Sequence, residues 1–208
     1  MTTGLFITLE GIEGVGKSTQ AEFIRHLLEK AGHTVVATRE PGGTKVGEAV
    51  RSILLEGGEL NIDDTTELML IFSARAQHLQ EVIRPALARG ETVLCDRFTD
   101  ATYAYQGAGR GVPPERIAVL EDYVQAGLKP DITLLFDAPV DVGLSRANHR
   151  GKADRFESET RHFFEKVRHG YLELAKSEPN RIHVVDAERT EEQVRQEIHV
   201  LLQNLKLC

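Results

Sequence analysis

The chain has 208 residues, with 25 basic and 32 acidic side chains and a formal net charge of −7. This length suits one domain with a substantial core, and a mildly acidic chain is a poor candidate for binding a nucleic-acid polymer, which requires clustered Lys and Arg. No uncharged apolar run approaches the ~20 residues of a membrane helix. Cys95 and Cys208 do not make a disulfide framework, and no secretory leader is recognisable. We therefore expect a cytoplasmic protein that binds neither a membrane nor a nucleic-acid polymer.

Short apolar runs alternate along the chain with longer segments of helical periodicity. Near-continuous apolar runs are typical of strands that are covered on both faces. The predicted strands are Leu5–Leu9, Thr34–Thr38, Thr92–Cys95, Ile132–Phe136 and Ile182–Val185. The predicted helices are Gln20–Lys30, Glu67–Ala88, Glu115–Gln125, Val140–Asn148, Arg161–Ser177 and Glu191–Leu205. This alternation predicts an α/β fold, with a parallel five-stranded sheet flanked by helices on both faces and a single domain over residues 1–208.

A glycine-rich loop follows the first predicted strand. Its residues are Gly11, Ile12, Glu13, Gly14, Val15, Gly16, Lys17, Ser18 and Thr19. The spacing of glycines before Lys-Ser is that of a P-loop, whose backbone amides and helix N-terminus bind phosphate. We expect it to bind ATP, with Lys17 at the β- and γ-phosphates and Ser18 on Mg²⁺. A P-loop alone fits kinases, GTPases and motor ATPases, but no Asn-Lys-x-Asp guanine-reading motif is found.

Four more polar clusters are expected near the carboxyl ends of strands, where open α/β sheets bind ligands. The first cluster contains Arg39, and the second contains Asp96 and Arg97. Asp96 is a candidate Mg²⁺ ligand, and the two arginines are candidates to bind phosphate. The third cluster is Phe72 and Arg75, which share a helical face. The phenyl ring could stack on a flat base, and the guanidinium could hydrogen-bond to it. The fourth cluster is Thr102-Tyr103-Ala104-Tyr105-Gln106-Gly107. Each cluster also has a purely structural interpretation, as a turn, an ion pair, a core position or a satisfied helix.

Together these motifs resemble the thymidylate kinase family of the bacterial type, over essentially the whole chain. The motifs are Gly11–Thr19, Thr38-Arg39-Glu40-Pro41-Gly42-Gly43, Phe72–Gln77, Asp96-Arg97-Phe98, Ala104-Tyr105-Gln106-Gly107, Gly109-Arg110-Gly111 and Asp154-Arg155-Phe156-Glu157. The resemblance implies transfer of the γ-phosphoryl of ATP to dTMP, which gives dTDP and ADP in dTTP biosynthesis. It also implies a homodimer.

The resemblance also implies roles for single residues at the acceptor site. Arg39 and Arg97 would bind the acceptor monophosphate. Phe72 would stack on thymine, with Arg75, Thr102 and Gln106 near its polar edge. Tyr105 would crowd the sugar 2′ position, and Glu13 would accept a hydrogen bond from the 3′-hydroxyl.

The polar segment His149–Glu159, which by itself suggests a solvated loop, would be a lid over ATP. Arg146, Arg150 and Arg155 are the candidates to reach the transferring phosphoryl group. Family members with an arginine inside the P-loop need none in the lid. This chain has Gly14 at that position, so the lid is expected to supply the charge.

Two positions depart from the family pattern. Phe72 and Arg75 are three residues apart instead of four, so either Ile71 or Phe72 could face the base. Ala101 stands where a Ser is common. Three rival functions stay open. They are a kinase for another nucleoside monophosphate, a deoxynucleoside kinase with Glu10 or Asp96 as base, and a nucleotide-dependent switch or assembly ATPase.

Overall fold

The computed structural model describes residues 4–56, 60–148, 155–157 and 159–208. At its centre lies a five-stranded sheet in which every neighbouring pair of strands is parallel. The strands are β1 (Phe6–Glu10), β2 (Val35–Arg39), β3 (Thr92–Asp96), β4 (Ile132–Asp137) and β5 (Ile182–Asp186). Each lies within one residue of the predicted run. Strands β1, β3 and β4 are almost wholly buried, in agreement with their continuous apolar sequences.

The strand order is β2-β3-β1-β4-β5, so β1 lies in the middle of the sheet. Leu9 of β1 pairs with Asp96 of β3, and Glu10 of β1 pairs with Leu135 of β4. Because the chain runs from β3 to β4 across β1, the carboxyl end of β1 lies at the point where the winding direction changes. Open parallel sheets form their ligand crevice at such a point.

Helices cover both faces of the sheet, as predicted. They are α1 (Lys17–Lys30), α2 (Lys45–Glu56), α3 (Asp64–His78), α4 (Arg84–Ala88), α5 (Thr99–Thr102), α6 (Pro114–Gln125), α7 (Val140–Asn148), α8 (Arg161–Ser177) and α9 (Glu191–Asn204). Two π-helical segments, Leu79–Ile83 and Tyr103–Gly109, continue α3 and α5. None of the helices in the described ranges combines the length and apolar character required to cross a lipid bilayer.

Side chains that alternate along β1 enter two separate apolar clusters. Ile7 and Leu9 pack in the larger cluster with Ile24 of α1 and Ile198 of α9, whereas Phe6 packs with residues that include Leu79 and Ile83. Successive side chains of a strand point to opposite faces, so these clusters lie on the two sides of the sheet. The sheet is therefore held rigidly between two helical layers, which fixes the strand ends that carry the site.

Candidate active site

A cleft of about 220 Å³ opens at the carboxyl ends of β1 and β3. The P-loop forms one side, the turn after β2 and helices α2 and α3 form another, and the α5 region closes the far end. The sequence-predicted residues that line it are Glu13, Gly14, Gly16, Lys17, Ser18, Arg75, Asp96, Arg97, Thr102, Tyr105 and Gln106. Residues from six separate segments therefore meet at one place.

Backbone packing fixes the P-loop between β1 and α1. Gly14 has φ 75°, and a Cβ atom there would lie 1.8 Å from the carbonyl oxygen of Gly143 in α7. Gly16 caps α1 in the left-handed region and offers no side-chain acceptor to the first amides. Ile12 and Val15 are buried core side chains, so they can offer a ligand only their backbone. Anions bind readily at such a helix N-terminus.

Lys17 folds back over the loop that precedes it. Its Nζ donates to the carbonyl oxygens of Gly11 at 2.9 Å and Ile12 at 2.8 Å. Burial, together with the positive charge of Arg97, lowers the pKa of Lys17 to about 8. The ammonium group therefore sits in a poorly solvated position, where an arriving anion would interact with it strongly.

Arg97 is held by groups from three segments. Its backbone is in the left-handed region, with φ 70°. The guanidinium donates to Glu13 at 3.0 Å and to the Tyr171 hydroxyl at 3.1 Å, and it lies 4.8 Å from the centre of the Tyr105 ring. A non-glycine residue at positive φ is uncommon and is often associated with a functional site.

Glu10 lies beneath the cleft and is fully buried. One oxygen of its carboxyl group accepts from the Phe98 backbone N–H at 2.7 Å, and the other accepts from the Tyr171 hydroxyl at 2.7 Å. Burial, together with the negative charge of Asp100, raises the pKa of Glu10 to about 8. Since Glu10 does not line the cleft, its role is to support Phe98 and Tyr171.

The fit of Mg²⁺ can be tested on the carboxylate of Asp96. Its Oδ1 is buried and has no hydrogen-bond partner within the described part of the chain. Both Asp96 and Ser18 line the cleft. A carboxylate and a hydroxyl are hard oxygen donors of the kind that Mg²⁺ binds together with substrate phosphates. These two residues therefore fit the predicted ion.

Arg75 is buried at the far end of the cleft. Its Nε donates to Glu40 at 2.7 Å, and its Nη2 donates to the Thr102 hydroxyl at 2.9 Å. Its Nη1 is buried, and among the described residues it has no acceptor. Nearby, the Gln106 amide donates to Glu67 at 2.8 Å. Polar groups from α3 and from the α5 region thus converge on this end of the cleft.

Phe72 does not lie where its predicted stacking role would place it. Phe72 packs with Leu68 and Ile117, and the Arg75 guanidinium lies 4.8 Å from the centre of its ring. Ile71, and not Phe72, is among the residues that line the cleft. Successive helical residues differ by about 100° in direction, so Phe72 points away from the cleft when its neighbour Ile71 faces it.

Arg39 is also displaced from its predicted place. Its side chain is exposed, it pairs with Glu48 at 2.9 Å, and it does not line the cleft. Arg51 of α2 lies in the cleft wall instead and donates to the Pro41 carbonyl at 2.9 Å. The Arg39–Glu48 ion pair is solvent-exposed, and such pairs are weak, so this side chain is free to change partners at low cost.

The predicted lid is described only in part. Arg150 lies outside the described residues. Arg155 donates to the Leu54 carbonyl at 2.8 Å and pairs with Glu67, so in this conformation it contacts α2 and α3 and does not line the cleft. Arg146 donates to the Ala187 carbonyl at 2.7 Å, in the loop after β5. The proposed contacts of these arginines with ATP stay predictions.

Sequence reasoning assigned no role to several residues of the site. Glu40 and Glu67 are buried carboxylates that hold Arg75 and Gln106, and Tyr171 holds Arg97. Glu40 could have been noticed as the acid next to Arg39 in the motif before Gly42-Gly43. Arg51 lies on α2, which was not among the predicted helices. The apolar residues Val46, Val50 and Leu54 have the helical spacing that indicates this helix.

Three comparisons agree on the relatives of this chain. The family model described as "Thymidylate kinase" matches residues 9–198. Proteins named thymidylate kinase from Pseudomonas savastanoi pv. phaseolicola and Ectopseudomonas mendocina are each 58% identical over 203 residues, which is 98% of this chain and 97% of theirs. The crystal structure of thymidylate kinase from Ehrlichia chaffeensis superposes with a TM-score of 0.78 at 35% identity, covering 97% of this chain and 99% of that chain. The chain belongs to the thymidylate kinase family.

Proposed function

We propose that this protein transfers the γ-phosphoryl group of ATP to dTMP and forms dTDP and ADP. The observation that carries the proposal is that one cleft is lined both by Lys17 and Asp96 and by Arg97, Arg75 and Gln106. A phosphate-binding loop and a second site with a fixed arginine are what transfer between two phosphorylated ligands requires.

At the acceptor site, Arg97 would bind the monophosphate. Its guanidinium is already oriented by Glu13 and Tyr171, so little side-chain entropy is lost on binding. The polar edge of the base would face Arg75, Thr102 and Gln106, with Ile71 on the cleft wall beside it. Arg39 would contact the phosphate only after its ion pair with Glu48 is broken.

At the donor site, the P-loop amides and Lys17 would bind the β- and γ-phosphates of ATP. Ser18 and Asp96 would hold Mg²⁺, which when bound supplies positive charge to the phosphate oxygens. Arg146 at the loop after β5 would contact the nucleotide side of ATP. Residues 149–159 would form the lid, from which Arg155 or Arg150 would reach the transferring group.

Chemistry at the acceptor needs no strong base. A phosphate oxygen of dTMP is anionic near neutral pH and attacks the γ-phosphorus directly, while the bond to the β-phosphate oxygen of ATP breaks and ADP leaves. Glu10, which a nucleoside kinase could have used as base, is engaged by Phe98 and Tyr171 below the cleft. This favours a phosphorylated acceptor over a free nucleoside.

The direct test measures ADP formation from ATP and Mg²⁺ with dTMP, dUMP, dCMP, dGMP, UMP or thymidine as acceptor. Turnover selective for dTMP supports the proposal. Selectivity for thymidine would indicate a nucleoside kinase. Hydrolysis that does not depend on any acceptor would indicate a nucleotide-dependent switch.

We also propose that the protein acts as a homodimer in the cytoplasm. Three neighbouring helices, α2, α3 and α6, carry large apolar side chains that are exposed in the single chain. These side chains are Val46, Ile53, Met69, Val119 and Tyr123. Apolar surface of this kind is common at interfaces between copies of one chain. The cytoplasmic location rests on the sequence alone.

A further inference from the structure

We propose that His78 is a positioning residue, which acts through Glu40 to fix the guanidinium of Arg75 at the acceptor end of the cleft. Only the identity of the acceptor, dTMP, rests on the function proposed above. The effect on Arg75 follows from contacts within the protein.

A chain of hydrogen bonds joins β2 to the cleft. The Thr38 hydroxyl lies 2.7 Å from Nε2 of His78, and Nδ1 of His78 lies 3.0 Å from Oε1 of Glu40. The second oxygen of Glu40 accepts from Nε of Arg75 at 2.7 Å. His78, Glu40 and Arg75 are all buried. Four side chains from β2, the following turn and α3 therefore act as one connected unit.

The chemistry of these groups fixes the direction of the chain. A carboxylate only accepts hydrogen bonds, so Nδ1 of His78 carries a hydrogen and donates a hydrogen bond to Glu40. In the neutral ring, Nε2 then accepts from the Thr38 hydroxyl. Each oxygen of Glu40 thus has a partner, and the carboxylate cannot rotate without breaking the contact with His78 or with Arg75.

One donor of Arg75 is buried without a partner beside the cleft, among the described residues. Its Nε and Nη2 are taken by Glu40 and Thr102, while Nη1 has no acceptor within the described ranges. The guanidinium lies 4.8 Å from the ring centre of Phe72 and 4.9 Å from that of Phe98. A buried donor without a partner is energetically unfavourable, and a ligand carbonyl would satisfy it.

The turn that contains Gly43 closes over the outer end of the chain. Gly43 has φ 76°, and a Cβ atom there would lie 2.6 Å from Nε2 of His78 and 2.6 Å from the Thr38 hydroxyl. The backbone of Gly43 is thus packed directly against this pair. The imidazole ring is consequently confined on the side that faces Gly43.

The alternative is a core histidine whose hydrogen bonds are merely satisfied. In that case, substitution would lower stability and would affect both substrates alike. A positioning role instead predicts a selective loss at the acceptor. A guanidinium donates to the carbonyls of thymine but cannot accept from the amino group of cytosine. Misplacing the Arg75 guanidinium should therefore also reduce the preference for dTMP over dCMP.

The test compares two variants that each retain one side of the histidine. The amide of His78→Asn reaches the position of Nδ1 and can still donate to Glu40, whereas that of His78→Gln reaches the position of Nε2 and keeps only the Thr38 contact. Dissociation constants for dTMP without ATP, KM for ATP and thermal unfolding are measured for each. His33→Gln is the control, because His33 bonds the Thr92 hydroxyl at 2.9 Å, near the opposite end of the sheet.

We expect His78→Gln to weaken dTMP binding about tenfold, the scale of one impaired charged hydrogen bond, with KM for ATP within about twofold. His78→Asn should bind dTMP nearly as the unmodified protein does. Equal dTMP affinity in the Gln variant and the unmodified protein, or equal losses in Asn and Gln, would overturn the inference. If His78→Gln does not fold, Thr38→Val tests the same hydrogen-bond chain from its outer end. Unchanged dTMP affinity in Thr38→Val would also overturn the inference. Failure of the unmodified protein to bind dTMP would reject the proposed function instead.

Discussion

The Tyr105 hydroxyl donates to the Glu13 carboxylate and lies 2.8 Å from each of its two oxygens. Burial raises the pKa of Tyr105 well above its usual range, so the hydroxyl keeps its proton. Glu13 also accepts from Arg97. A tyrosine of the α5 region and an acid of the P-loop thus orient one arginine between the two halves of the cleft.

Tyr105→Phe should lower kcat/KM for dTMP about tenfold, because a hydrogen bond to a charged group contributes roughly 1.5–3 kcal/mol. If the hydroxyl also crowds the sugar 2′ position, the preference for dTMP over its ribonucleotide analogue should narrow. Steady-state kinetics with both acceptors measure the two effects. An unchanged kcat/KM for dTMP would show that Glu13 needs no donor from Tyr105.

Lys17→Ala and Arg97→Ala should each lower kcat by at least about a hundredfold, because each removes a charge that offsets phosphate charge during transfer. Thermal unfolding should stay cooperative, since both side chains end in the cleft. Single-turnover kinetics with saturating ATP and dTMP make the measurement. Near-normal turnover in either variant would remove that residue from the proposed mechanism.

Stability should fall as the pH rises towards 8, because of Glu10. Its pKa is 4.5 in the unfolded chain and about 8 in the fold, so the folded protein binds the extra proton. The stabilisation is therefore complete below pH 4.5 and is lost as the pH rises through about 8, and its full size is roughly 5 kcal/mol.

Urea unfolding of the unmodified protein and of Glu10→Gln, at several pH values between 5 and 8, isolates this effect. The amide resembles the protonated acid and does not titrate, so the variant should show a flatter pH profile. Parallel profiles would mean that Glu10 is ionised at neutral pH.

Asp96→Asn should raise the Mg²⁺ concentration required for half-maximal turnover about tenfold, because an amide binds the ion less strongly than a carboxylate does. The assay varies free Mg²⁺ at fixed ATP and dTMP. Asp122→Asn, on α6, is the control. An unchanged Mg²⁺ dependence would exclude Asp96 as a ligand.

Tyr123→Glu should shift the protein from dimer to monomer, because Tyr123 is 85% exposed in the single chain and lies on the apolar face of α6. Light scattering after size-exclusion chromatography measures the mass. The matched control is Val200→Glu on α9, where an apolar side chain is also exposed. A monomeric unmodified protein at micromolar concentration would contradict the proposed dimer.

Apolar sequence patterns predicted the sheet almost to the residue. All five predicted strands end one residue early, before Glu10, Arg39, Asp96, Asp137 and Asp186. The ladder extends into these charged residues because backbone hydrogen bonds of a parallel sheet do not depend on side-chain polarity. One of these residues, Asp96, lines the cleft, so apolar periodicity ceases to be informative where the site begins.

Partners within the site were harder to predict than its members. Lys17, Asp96 and Arg97 follow from local motifs, and the structure brings them into one cleft. The engagement of Arg155 with Glu67 joins residues 88 positions apart, and nothing local in the sequence indicates it. The direction of the Phe72 side chain depends on which face of α3 is turned towards the cleft. The spacing to Arg75 left open whether Ile71 or Phe72 lies on that face.

The contact between Gly14 and the carbonyl of Gly143 bears on how such a site could change over generations. An arginine introduced at position 14 would place its Cβ 1.8 Å from that oxygen, so the substitution alone would not fit. Placing an arginine in the loop would require α7 to withdraw in the same step. A lineage with this packing could therefore gain a loop arginine only if two segments changed together.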